Sequence, residues 1–266
     1  MKRFLFLPVV LLFALFGNEA LCREISSAGG STGQKVVVLD PGHGGRDLGA
    51  EGTSGLAEKT VTFALAQKIK EILSGTYDVH LTRNGDYTLE IEKRTAVANH
   101  RRADIFISLH AAASFQHKAR GMAIFYCGPD TTHGSTHTGQ GEQMAEHGEK
   151  LHPWDHIQSV HSEKSQFLAN LVHRQLVAKF NPLHKRIREA PCLVLRGADM
   201  PAILVELAYL SHPAEEKELA DPGVISNLAA AIGEGISDFF TQGRGCIKKE
   251  GVIMEEDITT GRGAVW

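Results

Sequence analysis

Val36-Val37-Val38-Leu39 is an unbroken aliphatic run, opened by Lys35 and closed by Asp40 and then Pro41-Gly42. A strand with one wet face alternates polar and apolar residues, so a run without alternation reads as a strand buried on both faces, inside a parallel sheet covered by helices. The next segments fit that frame. Over residues 57–73, Val61, Leu65, Ile69 and Ile72 recur at helical spacing, Gly75 ends the pattern, and residues 77–81 alternate as a strand. A second helix is predicted over 89–101, followed by strands over 105–109 and 122–126. Leu168, Val172, Leu176 and Phe180 lie four apart on one helix face that Asn181-Pro182 terminates. Two short strands, 191–195 and 202–205, precede a final helix with Asp221 as N-cap, Pro222 at its first position, and Leu228, Ile232, Ile236 and Phe239 as its buried stripe. This alternation predicts a single α/β domain, a mixed, mostly parallel twisted sheet with helices on both faces.

The chain has 266 residues, 42% hydrophobic and 22% charged, enough for one substantial core. Its 28 Lys+Arg against 31 Asp+Glu give a formal net charge of -3, which offers no overall attraction to polyanions and argues against nucleic acid as a partner. Neither disorder nor a disulfide-dense scaffold fits this composition.

Lys2 and Arg3 precede an apolar run from Phe4 to Phe16, and Gly17-Asn18-Glu19 lead to Ala20-Leu21-Cys22. That tripartite pattern reads as a secretory signal peptide over 1–22, with export to the periplasm or the cell wall expected. The apolar run is about 13 residues, short of the roughly 20 that span a bilayer, and no later segment approaches that length, so no membrane span is expected in the mature protein. Lipidation at Cys22 is the lesser reading, because Glu19-Ala20-Leu21 lacks the expected small-residue run. Cys127 and Cys192 allow one bridge in an oxidising compartment, but small buried hydrophobes at strand ends is the favoured reading.

Residues 23–34 form a Ser/Gly-rich linker, 35–241 the folded domain, and 242–266 a polar tail. Within the domain, regularity fails over about 128–161, where Gly and Pro are frequent and His133, His137, His147, His152, His156 and His161 cluster. This segment reads as a long insertion or flap. A second metal site there is disfavoured, since Pro153 interrupts the His152/His156 helical spacing; solvated loop histidines are the plainer account.

Three polar residues stop apolar strand runs: His43 after the first, His110 after 105–109, and Glu206 after Ile203-Leu204-Val205. Ligands in open α/β sheets bind at the carboxyl ends of strands, so these side chains are candidates to converge on one sheet edge. Two imidazoles and a carboxylate make a catalytic zinc ligand set with a fourth position open to water, and a further carboxylate then serves as base. Glu58, at the start of the first helix, and Glu206 both qualify as the carboxylate ligand, and spacing does not choose between them. Taken singly, each histidine fits a capping or core residue as well as a ligand.

The stretches Val37 to Gly45 (VVLDPGHGG), Gly55-Leu56-Ala57-Glu58-Lys59, Leu81-Thr82-Arg83, Arg94 with Ala98-Asn99, residues 103–111, and residues 201–211 resemble, in order, the motifs of the zinc-dependent N-acetylmuramoyl-L-alanine amidases. The resemblance runs from about Lys35 to about Phe240. It implies that His43, Glu58 and His110 hold one Zn²⁺, that Glu206 is the catalytic carboxylate, and that the substrate is peptidoglycan, cleaved at the amide between N-acetylmuramic acid and the L-alanine of the stem peptide. Two stretches depart from the pattern: Ala112 replaces the usual Asn or Asp after His-Ala, and Glu206-Leu207-Ala208-Tyr209-Leu210-Ser211-His212 replaces the more frequent Glu-Leu-Gly-Phe with a terminal Asn.

Further expectations follow from the resemblance. Asp40 or a backbone carbonyl would orient an imidazole of the site. Arg83 and Arg94 either contact stem-peptide carboxylates or form ion pairs inside the fold. The 128–161 insertion would cover the zinc edge as a gate on which a regulatory partner acts. The alternatives are a wall-binding or regulatory protein that keeps the fold without catalysis, and a zinc hydrolase specific for a different amide; the intact His43, Glu58, His110 and Glu206 argue against loss of catalysis.

Overall fold

The computed structural model describes residues 33–115, 117–128, 154–180 and 185–243. The expected leader, nearly all of the linker, the tail beyond 243, and His133, His137, His147 and His152 lie outside them, as does most of the segment expected to act as a gate.

Among the described residues, six strands form one sheet: β1 (Val36–Pro41), β2 (Asp78–Leu81), β3 (Ile105–Ala112), β4 (Met122–Tyr126), β5 (Lys185–Glu189) and β6 (Ala202–Tyr209), in the order β2-β1-β3-β6-β4-β5. β2, β1, β3 and β6 run parallel, β4 and β5 run parallel to each other, and β4 meets β6 antiparallel. The sheet is therefore mixed and mostly parallel, as the unbroken apolar runs predict. Five α-helices among the described residues accompany it: α1 (Glu58–Leu73), α2 (Ile91–His100), α3 (Ser162–Phe180), α4 (Pro213–Leu219) and α5 (Pro222–Gln242).

Alternate residues of the central strands feed two cores. Val37, Leu39, Ile105, Ile107, Leu109, Ile203 and Val205 pack with α1, α3 and α5 on one face. Val38, Phe106 and Ala202 pack on the other with Ala98 of α2 and with Leu195, Ala198 and Met200. Burial on both faces removes water from most of β1 and β3 and supplies the main driving force, about 25 cal/mol for each Å² of apolar surface. On α1 the buried stripe is Val61, Leu65, Ile69 and Leu73, a strict four-residue repeat; the expected Ile72 is 45% exposed, because one residue of helix turns it about 100° off the stripe.

Three elements differ from the sequence expectation. The strand expected over 191–195 is a 3-10 turn, Leu193–Leu195, whose Leu195 plugs the smaller core. The strand beside β4 is instead β5, read as Lys-Arg-Ile-Arg-Glu; with one apolar residue it lacks a strand's usual signal, and its charges suit the sheet edge it occupies. Helix α4 has only seven residues, too few for periodicity, and is marked by Pro213 at its start with the His212 ring accepting from Ala214 N–H. The end of the expected insertion is ordered too: Trp154–His161 is 3-10 helix, where Gln158 donates to the Ala198 and Met200 carbonyls and His161 lies 3.1 Å from Asp199. Among the described residues no helix is long and apolar enough to cross a membrane.

Candidate metal centre

β1 delivers the chain at Pro41 into a turn that only particular residues can make. A Cβ on Gly42 would stand 2.5 Å from the His110 ring, so glycine is required there for the two loops to meet. His43 follows with φ 59°, in the left-handed region, where a side chain costs about 1–2 kcal/mol. The surroundings hold it there. Gly42 N–H donates to the Leu109 carbonyl at 3.0 Å, Arg94 Nη2 donates to the His43 carbonyl at 3.0 Å, and Gly44 and Asp47 exchange backbone hydrogen bonds at 2.9 and 3.1 Å. Strain held by its neighbours in this way is typical of functional loops.

Beneath the turn lies a buried polar plug. Asp40, fully buried, accepts from Arg94 Nη1 at 2.8 Å, from Ser108 Oγ at 2.7 Å and from the Thr82 hydroxyl. Arg83 donates to the carbonyls of Pro41 at 3.0 Å, Gly42 at 3.1 Å and Lys59 at 2.9 Å, tying the end of β1 to the first turn of α1. Both arginines are thus committed inside the fold, which settles their open alternative in favour of internal contacts. Asp40 orients neither imidazole, since three donors already occupy its carboxylate; in place of the expected Asp40 or backbone carbonyl, the partner of His43 is the Asp47 carboxylate.

His43, Glu58 and His110 come together: each offers a ligand atom, and these atoms all lie within 4.8 Å of one another. Glu58 is the first residue of α1, where the helix dipole favours a negative charge. Its Oε2 lies 3.0 Å from His43 Nε2 and accepts from Ala50 N–H at 2.8 Å; its Oε1 lies 2.9 Å from His110 Nδ1 and accepts from Ala111 N–H at 2.9 Å. Burial works to raise the Glu58 pKa, but the imidazole and backbone hydrogen bonds more than offset it and hold the carboxyl far below the usual carboxylate range. The two rings meet edge to face with centroids 5.0 Å apart.

His43 Nδ1 lies 2.9 Å from Asp47 Oδ2. With Nδ1–H donating to this carboxylate, Nε2 presents its lone pair to the centre, the arrangement that supports a ligating histidine. Burial lowers the His43 pKa, yet the Glu58 and Asp47 carboxylates outweigh it and leave it raised. Asp47 escaped the sequence reading. The available signal was an acid four residues after the histidine in a glycine-rich turn, where its Oδ1 also accepts from Gly49 N–H at 3.1 Å.

Glu206 stands beside this group rather than within it. In the parallel register of β3 and β6 it is the partner of His110, so the two side chains share a face at the carboxyl ends of the strands. Its Oε2 is buried without a hydrogen-bond partner among the described residues. Burial raises its pKa; His110 and His43 pull it down and Glu58 pushes it up, leaving it above the ordinary carboxylate value. Cys127 and Cys192 stand as free, half-buried thiols packed against the smaller core; Cys127 follows β4 as expected, whereas Cys192 precedes the 3-10 turn rather than lying at a strand end, and burial first, then Cys127 and Glu206, push the Cys192 thiol up to about 12.

A His/Glu/His group with a hydrogen-bonded second carboxylate fits a divalent transition ion: the donors are nitrogen and oxygen, close enough to share one ion, with one imidazole already oriented. Sheet order and site together define an open α/β protein with a candidate metal centre at the carboxyl ends of its parallel strands. Residues 37–238 match the family described as N-acetylmuramoyl-L-alanine amidase, and the chain belongs to that family. It is 36% identical over 221 residues, 77% of its length, to N-acetylmuramoyl-L-alanine amidase AmiC of Neisseria meningitidis, and spans 52%, about half, of that relative. Against N-acetylmuramoyl-L-alanine amidase AmiA of Escherichia coli it is 32% identical over 230 residues, covering 79% of this chain and 78% of the relative. The solved catalytic domain of CwlV, an N-acetylmuramoyl-L-alanine amidase from Bacillus (Paenibacillus) polymyxa, superposes with a TM-score of 0.63 at 30% identity, covering 78% of this chain and 98% of that one.

Proposed function

We propose that the chain is a zinc-dependent N-acetylmuramoyl-L-alanine amidase of peptidoglycan, exported to the periplasm or cell wall by residues 1–22. The observation that carries this reading is the meeting of His43, Glu58 and His110 within 4.8 Å, with Glu206 in register beside them. The family match and the relatives support the choice of bond.

His43, Glu58 and His110 would hold one zinc ion. When bound there, zinc supplies a Lewis acid that polarises the scissile carbonyl and lowers the pKa of water from 15.7 towards about 7. Glu58 neutralises positive charge at the centre while its two backbone donors, Ala50 and Ala111, fix its orientation. Asp47 keeps His43 in the tautomer whose Nε2 faces inwards. Glu206 accepts the proton of the attacking water and delivers it to the alanine nitrogen as the carbonyl–nitrogen bond breaks, leaving a lactyl carboxylate and a free peptide amine. Its half-buried position suits the role, since a carboxylate withdrawn from water binds a proton more readily.

Digestion of purified sacculi, followed by mass analysis of the soluble products, tests the reading. Peptides beginning with L-alanine, released without glycan fragments and abolished by chelation, are expected. Release of muropeptides with the lactyl–alanine bond intact, or no release at all, contradicts it.

A further inference from the structure

A cleft of about 420 Å³ opens off the Glu206 side of the centre and extends away from the two histidines towards the sheet edge. Its lining includes Glu206, Ala123, Tyr209 and three cations, Lys118, Arg120 and Arg186. The sheet register explains how these come together. His110 on β3 pairs with Glu206 on β6, Glu206 pairs with Ala123 on β4, and Ala123 pairs with Arg186 on β5. Register partners project on the same face, so these four side chains form one row across four strands. The small Ala123 leaves open floor between the acid and the arginine.

The charge in the cleft is unbalanced. Among the described residues that line it, Glu206 is the sole carboxylate, against three cations. Arg120 shares the nearby Glu215 at 3.6 Å, but that carboxylate is already used by Gly121 N–H and Tyr209 N–H, and Arg120 Nε is buried with no hydrogen-bond partner among the described residues. Arg186 is exposed and has no ion pair among the described residues. Such a surface selects an anionic occupant. Of the two halves of the substrate, the sugar half is N-acetylated and neutral, whereas the peptide half carries carboxylates.

We infer that this cleft receives the peptide on the amine side of the scissile bond, and that Arg186, aided by Arg120 and Lys118, is a specificity residue pairing with a carboxylate on the residue after the alanine. This rests on the amidase reading above. The reach agrees. Three strand spacings separate Arg186 from His110, roughly 14 Å between backbones. An extended arginine covers about half of that, and two peptide residues at about 3.5 Å each cover the rest. Arg186 presents a planar fork suited to gripping a carboxylate through two parallel hydrogen bonds.

The test uses two synthetic muramoyl peptides that differ only in bearing a free carboxylate or a primary amide on the residue after alanine. The wild-type chain should favour the acid by about tenfold in kcat/KM, chiefly through KM, the scale of one charge-assisted pair at an open site. The ratio should fall to near one in Arg186→Gln, recover in part in Arg186→Lys, invert in Arg186→Glu, and shrink as salt is raised. A wild-type ratio near one with both substrates cleaved, or an unchanged ratio in Arg186→Gln, overturns this inference and leaves the amidase reading standing. Cleavage of neither substrate overturns both.

Discussion

Glu206 on β6 is the register partner of His110 on β3, one strand away and on the same face. Adjacent parallel strands lie about 4.8 Å apart, so under the proposed roles a base and a ligand set this way reach one atom held between them. Both side chains are carried by the sheet, and the turn carrying His43 is braced against it through Gly42 and Arg94.

Replacing Glu206 by Gln keeps its size and removes its basicity. We expect kcat to fall by about 10² to 10⁴ with KM little changed, the usual worth of a positioned proton acceptor. Steady-state kinetics on a soluble muramoyl peptide measure this; a loss confined to KM would reassign Glu206 to substrate binding.

Asp47→Ala removes the acceptor 2.9 Å from His43 Nδ1 and frees the ring to rotate and change tautomer. Metal affinity should weaken by about 10- to 100-fold, as is usual when such a supporting acid is lost. Competition with a fluorescent chelator reads the change, and an unaltered affinity would show that the turn alone orients His43.

Arg94→Ala should act on stability more than on substrate binding. It leaves the fully buried Asp40 carboxylate without its cation and frees the His43 carbonyl. Losing one partner of a buried pair costs about 3–5 kcal/mol, and the Thr82 and Ser108 hydroxyls that remain on Asp40 place the expected loss near the lower end. Denaturant unfolding should show it, whereas full stability with a raised KM would restore the substrate-contact role.

Glu216 fastens the 53–56 loop, accepting from Thr53 Oγ1 at 2.8 Å, Ser54 N–H at 2.9 Å and Leu56 N–H at 3.3 Å. Burial raises its pKa, but these donors prevail and hold it below its usual value of 4.5. A carboxyl depressed on folding adds stability above its unfolded pKa and loses it as pH falls through the folded one. The stability difference between wild type and Glu216→Gln should accordingly be flat above about pH 5 and narrow on acidification below that. A difference that widens in acid would contradict the clamp.

Much of this architecture is legible in the chain because its strongest signals are also its structural determinants. β1 and β3 are buried along most of their length, so their apolar runs are unbroken, and Asp221-Pro222 starts α5 where capping chemistry requires, with the Asp221 side chain accepting from Gly223 N–H. β5 was hidden because an edge strand needs few apolar residues, and α4 because seven residues make fewer than two full turns of the 3.6-residue period. At the site, His43, His110 and Glu206 are marked by ending apolar runs. Glu58 is not, since it opens a helix, and only the resemblance to the amidases distinguished its part from that of Glu206. Asp47 and the two arginines depend on contacts between segments about 40 to 50 residues apart or within an irregular turn, which no periodicity encodes.

Metal content measured on purified protein, reconstituted with zinc and freed of excess, tests the account most directly. One ion per chain should be retained by wild type and by Glu206→Gln, and lost by Glu58→Gln. Equal retention by Glu58→Gln, or loss of the ion from Glu206→Gln, would contradict the assignment of Glu58 to gripping the metal and of Glu206 to moving the proton.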